Sequence, residues 1–301
     1  MRITNSLMSQ SFLTNLNSNM NNVFKYQEQL SSLKQVNRPS DDPLKVSKII
    51  DLKNEIKQND TYQGTINDAI DFTNVQDAAL ANATNSIQRI HTLTQQAANG
   101  TLNTDDRAAI KAEINSEVET MMDSLNTNFG GRYIFAGQNS TTKPFTIERA
   151  DDGTFTGVTY NGTADNTPKE ISRGVMVELQ TDGSKLENGE GNLGQLFNDL
   201  FQALDTDDTS QLGGDLLSQI DKEMNNILNV RTGIGATQNR LTAAKARNEA
   251  ENLNLETALS TNQDIDLAET YMQYTMEMTA YQASLNMGTR ILQTNIMDYV
   301  R

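Results

Sequence analysis

Apolar residues recur with alternating steps of four and three along the last stretch of the chain, Asp266 to Arg301. The stripe runs Leu267, Tyr271, Tyr274, Met278, Tyr281, Leu285, Gly288, Leu292, Asn295 and Tyr299, and all but Gly288 and Asn295 are apolar or aromatic. This is the spacing of a coiled-coil seam on one long helix. Asp266 followed by Glu269 marks its start as a capping box. A second set, Met272, Met276, Met287, Ile291, Ile296, Met297 and Val300, widens the apolar face beyond one seam. At ~1.5 Å per residue the helix is about 54 Å long. One partner helix covers only part of such a face.

The other end of the chain shows a matching pattern. Ile3, Leu7, Leu13, Leu16, Met20, Val23, Leu30 and Leu33 recur with mostly three- and four-residue steps, joined by Met8, Phe12 and Phe24. Asn and Ser fill the positions between, so intrinsic helix propensity is mediocre and the helix depends on a partner. The C-terminal stripe is the partner the pattern offers. The two ends therefore read as halves of one coiled coil. Asn37 to Pro43 breaks the first helix. Arg38 is held out of the α region by Pro39, and Asp42-Pro43 reads as N-cap and first residue of a new helix.

Between the ends the period changes twice. A long helix is predicted from Pro43 to about Ala98, stopped at Asn99-Gly100, and a shorter one from Thr104 to about Asn126. The two make a helical hairpin. From Phe129 to about Lys185 short strands are predicted at Phe145 to Ile147, Phe155 to Tyr160 and Val175 to Leu179. Asp152-Gly153, Asn161-Gly162 and Asp182-Gly183 supply the turns. Helix resumes from Leu193 to Leu204, and a last long helix is predicted from about Leu212 to Ser260. The fold class is mainly α: an elongated helical bundle or coiled coil formed by the N- and C-terminal halves, with a small β-rich insert at the tip. The turn-rich insert reads as a surface knob of modest stability. Three domains are expected: residues 1–40 with 262–301, a terminal coiled-coil assembly domain; 41–134 with 191–261, a helical rod; and 135–190, the β-rich insert.

Composition narrows the function. The chain is 36% hydrophobic and 6% aromatic, without Trp, which favours thin helical parts over one thick globule. Its formal net charge is −15. Residues 1–38 carry +3, residues 266–301 carry −2, and the middle carries −16. An acidic middle repels phosphates and argues against nucleic acid. With no Cys, disulfides, thiolate metal sites and thiol nucleophiles are excluded. No apolar run approaches the ~18 residues of a membrane span, and the N-terminus lacks the apolar core of a signal peptide.

Several motifs are weaker than they look. Gly233-Ile234-Gly235 lacks the third glycine and the βαβ context of a dinucleotide site, and close helix packing accounts for it. His91, the one histidine, has no second ligand or triad partner nearby in sequence. Asp264, Asp266 and Glu269 gather at a helix start, where carboxylates are favoured without a metal. Asn99, Asn139 and Asn161 each begin a glycosylation acceptor triplet, which an Asn- and Thr-rich chain produces by chance. The C-terminal stripe lacks the Lys/Arg-rich polar face of a lipid-binding helix, so protein–protein packing is its reading. No catalytic, cofactor or metal site emerges. The candidate assembly interface is Leu13, Leu16, Met20, Val23, Leu30, Leu267, Tyr271, Tyr274, Met278, Tyr281, Leu285, Leu292 and Tyr299.

Four stretches together carry a family resemblance. They are Arg38-Pro39-Ser40-Asp41-Asp42-Pro43; Asn99-Gly100-Thr101 with Asp106-Arg107 through Glu113-Ile114; Gly235-Ala236-Thr237-Gln238-Asn239-Arg240-Leu241; and Ile265-Asp266-Leu267-Ala268-Glu269. The chain resembles the flagellin family of bacterial axial proteins over nearly its whole length. Gly130-Gly131-Arg132-Tyr133-Ile134-Phe135-Ala136-Gly137, then Lys143-Pro144-Phe145 and Arg173-Gly174-Val175, resemble members at the junction of hook and filament more than the filament subunit. Pro43, where filament subunits commonly carry a small residue, leans the same way. The resemblance implies a structural, non-enzymatic role without cofactors. It implies a homo-oligomeric ring between a hook-associated protein and flagellin, an export chaperone, and an extracellular place in the flagellum. It also implies export through the flagellar type III apparatus without signal-peptide cleavage. The filament subunit itself is the alternative, separated by copy number per filament. A cytoplasmic coiled-coil adaptor is a third reading, excluded by recovery of the protein from sheared fibres.

Terminal stripes this thin pair weakly in isolation. Limited proteolysis of the dilute free chain should remove both ends first and leave a core of about 41–261. Equal protection of the ends and the core would contradict that expectation.

Overall fold

The structure is a computed structural model that describes residues 2–151, 153–187 and 192–297, with side-chain surroundings from residue 7 to residue 289 within those ranges. The chain forms α1 (Arg2–Ser32), α2 (Pro43–Ala97), α3 (Thr104–Leu125), β1 (Asn128–Phe129), β2 (Arg132–Tyr133), β3 (Phe145–Arg149), β4 (Phe155–Tyr160), β5 (Thr167–Ser172) and β6 (Val175–Leu179). Then come α4 (Ser184–Glu187), α5 (Leu193–Asp205), α6 (Thr209–Gly213), α7 (Asp215–Gln263) and α8 (Leu267–Met297). The long helices and three predicted strands stand where the periodicity put them. β5, with polar Thr167, Lys169, Glu170 and Ser172, escaped notice because Ile171 alone among its six residues is strongly apolar. The chain divides into two compact units, Met1–Gln58 with Glu251–Arg301, and Asn59–Ala250.

Local chemistry explains the breaks. The Asp42 carboxylate accepts the Lys45 amide at 3.0 Å and its carbonyl the Val46 amide at 3.0 Å, so α2 starts with Pro43 as its first residue. Asn103 and Asp106 form a reciprocal capping box at the start of α3. Gly233 and Gly235 sit inside the continuous α7. The Gln180 side chain lies where a Cβ on Gly233 would go, whereas the space beside Gly235 is open.

Within Asn59–Ala250 the strands form three antiparallel hairpins, β1–β2, β3–β4 and β5–β6. Gly130 and Gly131 close the first with positive φ at both central positions, as a tight two-residue hairpin loop requires. The hairpins are not packed as a separate knob. Phe145, Phe155 and Val158 belong to one buried cluster with Ile87 and Ile90 of α2, Ile114 and Met121 of α3, Phe197 of α5 and Ile227 of α7. Phe155 stacks against Phe201 at 5.0 Å and meets Phe197 edge-on at 6.3 Å. A second cluster joins Ile66 and Ala69 of α2 to Ile171, Val177 and Leu179 of β5–β6 and Leu241 of α7.

Three loop segments converge on Tyr160. Its hydroxyl lies 3.0 Å from the Phe135 carbonyl and 3.1 Å from that of Thr163, and it accepts the Gly183 amide at 3.0 Å. Burial pushes this phenol up to about 12. A Cβ on Gly162 or Gly183 would collide with the Tyr160 ring. This gives a physical reason for the glycines that looked like simple turn signals.

Several polar residues enter the core with their hydrogen bonds met. The Thr73, Thr84 and Thr94 hydroxyls donate to the carbonyls of Ile70, Leu80 and Ile90 at 2.9, 2.7 and 2.8 Å. The nearly buried Arg107 donates to Asp207 at 3.0 Å and to the Ala97 carbonyl at 3.3 Å, tying the end of α2 to the acidic turn before α6. Arg231 holds Asp77 through two bonds of 2.7 and 3.2 Å, which raises the guanidinium further.

Glu223 departs from this pattern. It is 1% exposed; Asn226 donates to Oε1 at 3.1 Å, and Oε2 has no partner among the described residues. Burial pushes its carboxyl up from about 4.5 to about 7. The folded chain thus holds a proton that the unfolded chain releases, so this group's contribution to stability falls as pH rises from about 4.5 through about 7. Glu223→Gln keeps the neutral shape and removes the titration. Its melting temperature relative to wild type should rise steadily across that interval and level off above it. A pH-independent difference would refute the assignment.

Candidate assembly interface

Within the terminal unit, the chain's ends are joined by backbone before side chains meet. α1 stops at Leu33, whose φ of 56° is left-handed, a conformation costing about 1 kcal/mol for a non-glycine residue. Bonds across to the α7–α8 link offset that cost. Gln35 donates its amide to the Gln263 carbonyl at 2.7 Å, Ile265 donates to Leu33 at 3.4 Å, and Lys34 bridges Asp264 in antiparallel register. Gln29 is buried and caps the loop by donating to the Gln35 carbonyl at 2.7 Å. Asp266 starts α8: its carboxylate accepts the amides of Ala268 and Glu269 at 2.9 and 3.1 Å. The Glu269 carboxylate accepts from Gln273 at 3.1 Å, so the expected box is present on its Asp266 side.

From this anchor α1 and α8 run antiparallel. Asn22 donates to Glu277 at 3.3 Å, Asn19 to Ser284 at 3.1 Å, and the Phe12 ring lies against Gly288, where a Cβ would collide with it. The α8 side of the seam is Thr270, Tyr274, Glu277, Tyr281, Ser284 and Gly288, all buried or half-buried. Facing it on α1 are half-buried Phe12, Leu16, Asn19, Val23, Tyr26 and Leu30. Both sets step by alternating four and three, as an antiparallel coiled-coil seam does.

The seam is rotated from the most apolar face of α8. Leu267 is 57% exposed, Tyr271 60%, Met276 65% and Met287 62%, with Met272 and Leu285 also open. On α1, Leu7, Met8, Leu13, Phe24 and Leu33 are exposed. Leu44, Ile50 and Leu253, in the same unit, are exposed as well. Scattered exposed apolar residues are ordinary, whereas these lie in stripes along two adjacent helices.

The residues expected at the interface separate into two groups. Leu16, Met20, Val23, Leu30, Tyr274, Met278 and Tyr281 are half-buried in the terminal unit. Leu13, Leu267, Tyr271 and Leu285 are exposed. The backbone of Leu292 belongs to α8, its side chain lies outside the description, and Tyr299 lies outside the described residues. Sequence reasoning missed the polar half of the seam: Asn19, Thr270, Glu277 and Ser284. The signal was present, because positions 270, 274, 277, 281, 284 and 288 also step by four and three. Hydropathy alone hid it.

Other places carry less chemistry. His91 faces Asp221 at 3.5 Å on the surface of the larger unit. Asp264 accepts from Ser260 at 2.7 Å and Asp266 is engaged in capping. No group of three potential metal ligands gathers among the described residues. A cavity of about 680 Å³ beside α2 and the β1–β2 hairpin is lined by Phe72, Phe129, Arg132, Tyr133 and Lys169, among others. No described helix is long and apolar enough to cross a membrane.

A helical chain whose ends pair through a polar seam and leave apolar stripes open belongs among subunits built for assembly. Comparison with known proteins gives that class its family. The profile for the bacterial flagellin N-terminal helical region matches residues 3–140, and that for the C-terminal helical region matches residues 217–300. The chain belongs to the flagellin family, a family of structural flagellar proteins. It is 27% identical to flagellar hook-associated protein 3 of Escherichia coli K12, over 94% of this chain and 95% of that one. It is 26% identical to the flagellin of Bacillus subtilis 168 over all of both chains. The fold is shared with the flagellar junction protein FlgL of Legionella pneumophila (TM-score 0.57, 17% identity, 72% of this chain and 100% of that one). Bacillus cereus FlgL shares it too (TM-score 0.56, 23% identity, 70% and 99%).

Ala283 is exposed on α8, away from the seam. Ala283→Pro removes a backbone hydrogen bond and clashes with the preceding turn, costing the helix about 3 kcal/mol or more. Circular dichroism should show reduced helicity, with the main melting transition of the larger unit unchanged. A lowered main transition would mean that α8 supports the larger unit's core.

Proposed function

We propose that this chain is a structural subunit of the bacterial flagellum that forms the junction between hook and filament. The observation that carries the proposal is the open apolar stripe on α8, Leu267, Tyr271 and Leu285, beside the exposed Leu13 and Phe24 of α1. These side chains have nothing to bury against within the terminal unit. Neighbouring copies in a ring supply the missing surface, with a hook-associated protein on one side and flagellin on the other. The near full-length alignment with hook-associated protein 3 supports the junction over other positions. Three divisions of labour follow: residues 1–40 with 262–301 assemble, 41–134 with 191–261 form the rod, and 135–190 form the β-rich insert. Before assembly an export chaperone covers the terminal stripes, and the chain leaves through the flagellar export apparatus with its N-terminus uncleaved. Alignment with a flagellin over the whole of both chains favours a filament subunit as the second reading.

Immunogold labelling separates the two. Label at a single point at the filament base supports the junction, and label along the filament overturns it. Leu285→Lys places a charge on the open stripe and off the α1 seam. The variant should keep the wild-type melt, and cells carrying it should build hooks with few filaments while shedding flagellin into the medium. Normal filaments on those cells would remove Leu285 from the interface.

A further inference from the structure

We propose that Met272, Met276 and Met287 form a methionine oxidation site, through which peroxide blocks assembly of the free chain. Its consequence for assembly rests on the junction reading above. The three thioethers are 56%, 65% and 62% exposed. At about 100° per residue they fall within about 60° of one another on α8, roughly 130° from the middle of the α1 seam. They thus form a stripe of their own on the far side of the helix. Ala283 shares it, and no residue of α1 covers it. In contrast Met121 and Met122, in the core of the larger unit, are 0% and 2% exposed. The chain has no Cys, so its twelve methionines are the sulfur atoms a two-electron oxidant can meet.

The chemistry needs no catalytic group. A thioether sulfur lone pair attacks one oxygen of hydrogen peroxide, the S–O bond forms as the O–O bond breaks, and the other oxygen leaves as water after proton transfer. Sulfur loses two electrons and the peroxide gains them. The product sulfoxide is polar and a stronger hydrogen-bond acceptor, and a thiol-dependent reductase can reverse it. Because the stripe points away from α1, the helix pair survives the change. What is lost is the ability of that face to enter an apolar interface. The free, not yet assembled chain is the vulnerable state, since burial against a neighbour shields the sulfur.

The test treats purified full-length chain with hydrogen peroxide and maps sulfoxides by mass spectrometry. The three stripe residues should oxidise roughly tenfold faster than Met121 and Met122, in keeping with their exposure. The oxidised chain should keep its helical circular dichroism yet add roughly tenfold less to isolated hooks lacking the protein. The variant Met272→Leu/Met276→Leu/Met287→Leu should add normally after the same treatment. Met176→Leu, which removes an exposed methionine of the larger unit, should lose addition as wild type does. Equal oxidation rates for stripe and core overturn the site. Full addition by a chain carrying all three sulfoxides, or equal loss in the triple variant, overturns its effect. Failure of untreated chain to join hooks overturns the junction reading and leaves the reactivity order to decide the site.

Discussion

A helix in a two-helix pair buries only a narrow stripe of its surface, and the terminal unit is arranged around that constraint. α8 has more apolar surface than α1 can cover. The pair settles this by turning the polar and small side of α8 inward. Gly288 leaves room for the Phe12 ring, and Asn19 and Asn22 find partners in Ser284 and Glu277. Tyr274 and Tyr281 also face α1, while Leu267, Tyr271, Leu285 and three methionines are left outside. Each seam hydrogen bond contributes about 0.5–1.5 kcal/mol net, whereas burying a Leu or Met side chain contributes about 1.5–3 kcal/mol. The exposed Leu and Met side chains of α8 therefore hold stabilisation that α1 does not supply.

The larger unit follows the opposite rule. Its helices and hairpins share two buried clusters, and their many threonines stay helical by bonding back to their own turns. Arg107, Arg231 and Tyr160 tie loops and helix ends to this core. The strands contribute Phe145 and Phe155 to the main cluster, so their removal would open a cavity between helices rather than shorten a surface loop. Glu223 stands apart, a buried carboxyl whose protonated form burial favours up to about pH 7.

Much of this architecture was legible in the sequence. Long 3.6-residue periodicity and the Asp42-Pro43 cap located the helices, because both signals are local, while the Asn103 cap of α3 was not read. Strands β3, β4 and β6 were legible through apolar runs flanked by glycine turns, while polar β5 was not. The pairing of chain ends followed from two matching stripes. Its rotation did not, because choosing between adjacent four-three stripes depends on which polar side chains find partners across 255 or 265 residues of sequence. The sharing of the β-rich segment with the helical core was hidden for the same reason: turn chemistry is local and burial is not.

The rotated seam has a consequence for how such a subunit behaves before and after assembly. Had α8 turned Leu267, Tyr271 and Leu285 toward α1, the pair would be firmer alone and would offer neighbours less. With the polar side inward, the pair is weak but keeps its register, since Asn19–Ser284 and Asn22–Glu277 are satisfied in one alignment. In the proposed ring a neighbour then meets a weakly held pair already in register, and the entropy of ordering the helices is partly met in advance. Firm helix formation and docking become one event in the proposed ring. The same geometry leaves three thioethers open to solvent beside the surface proposed for assembly.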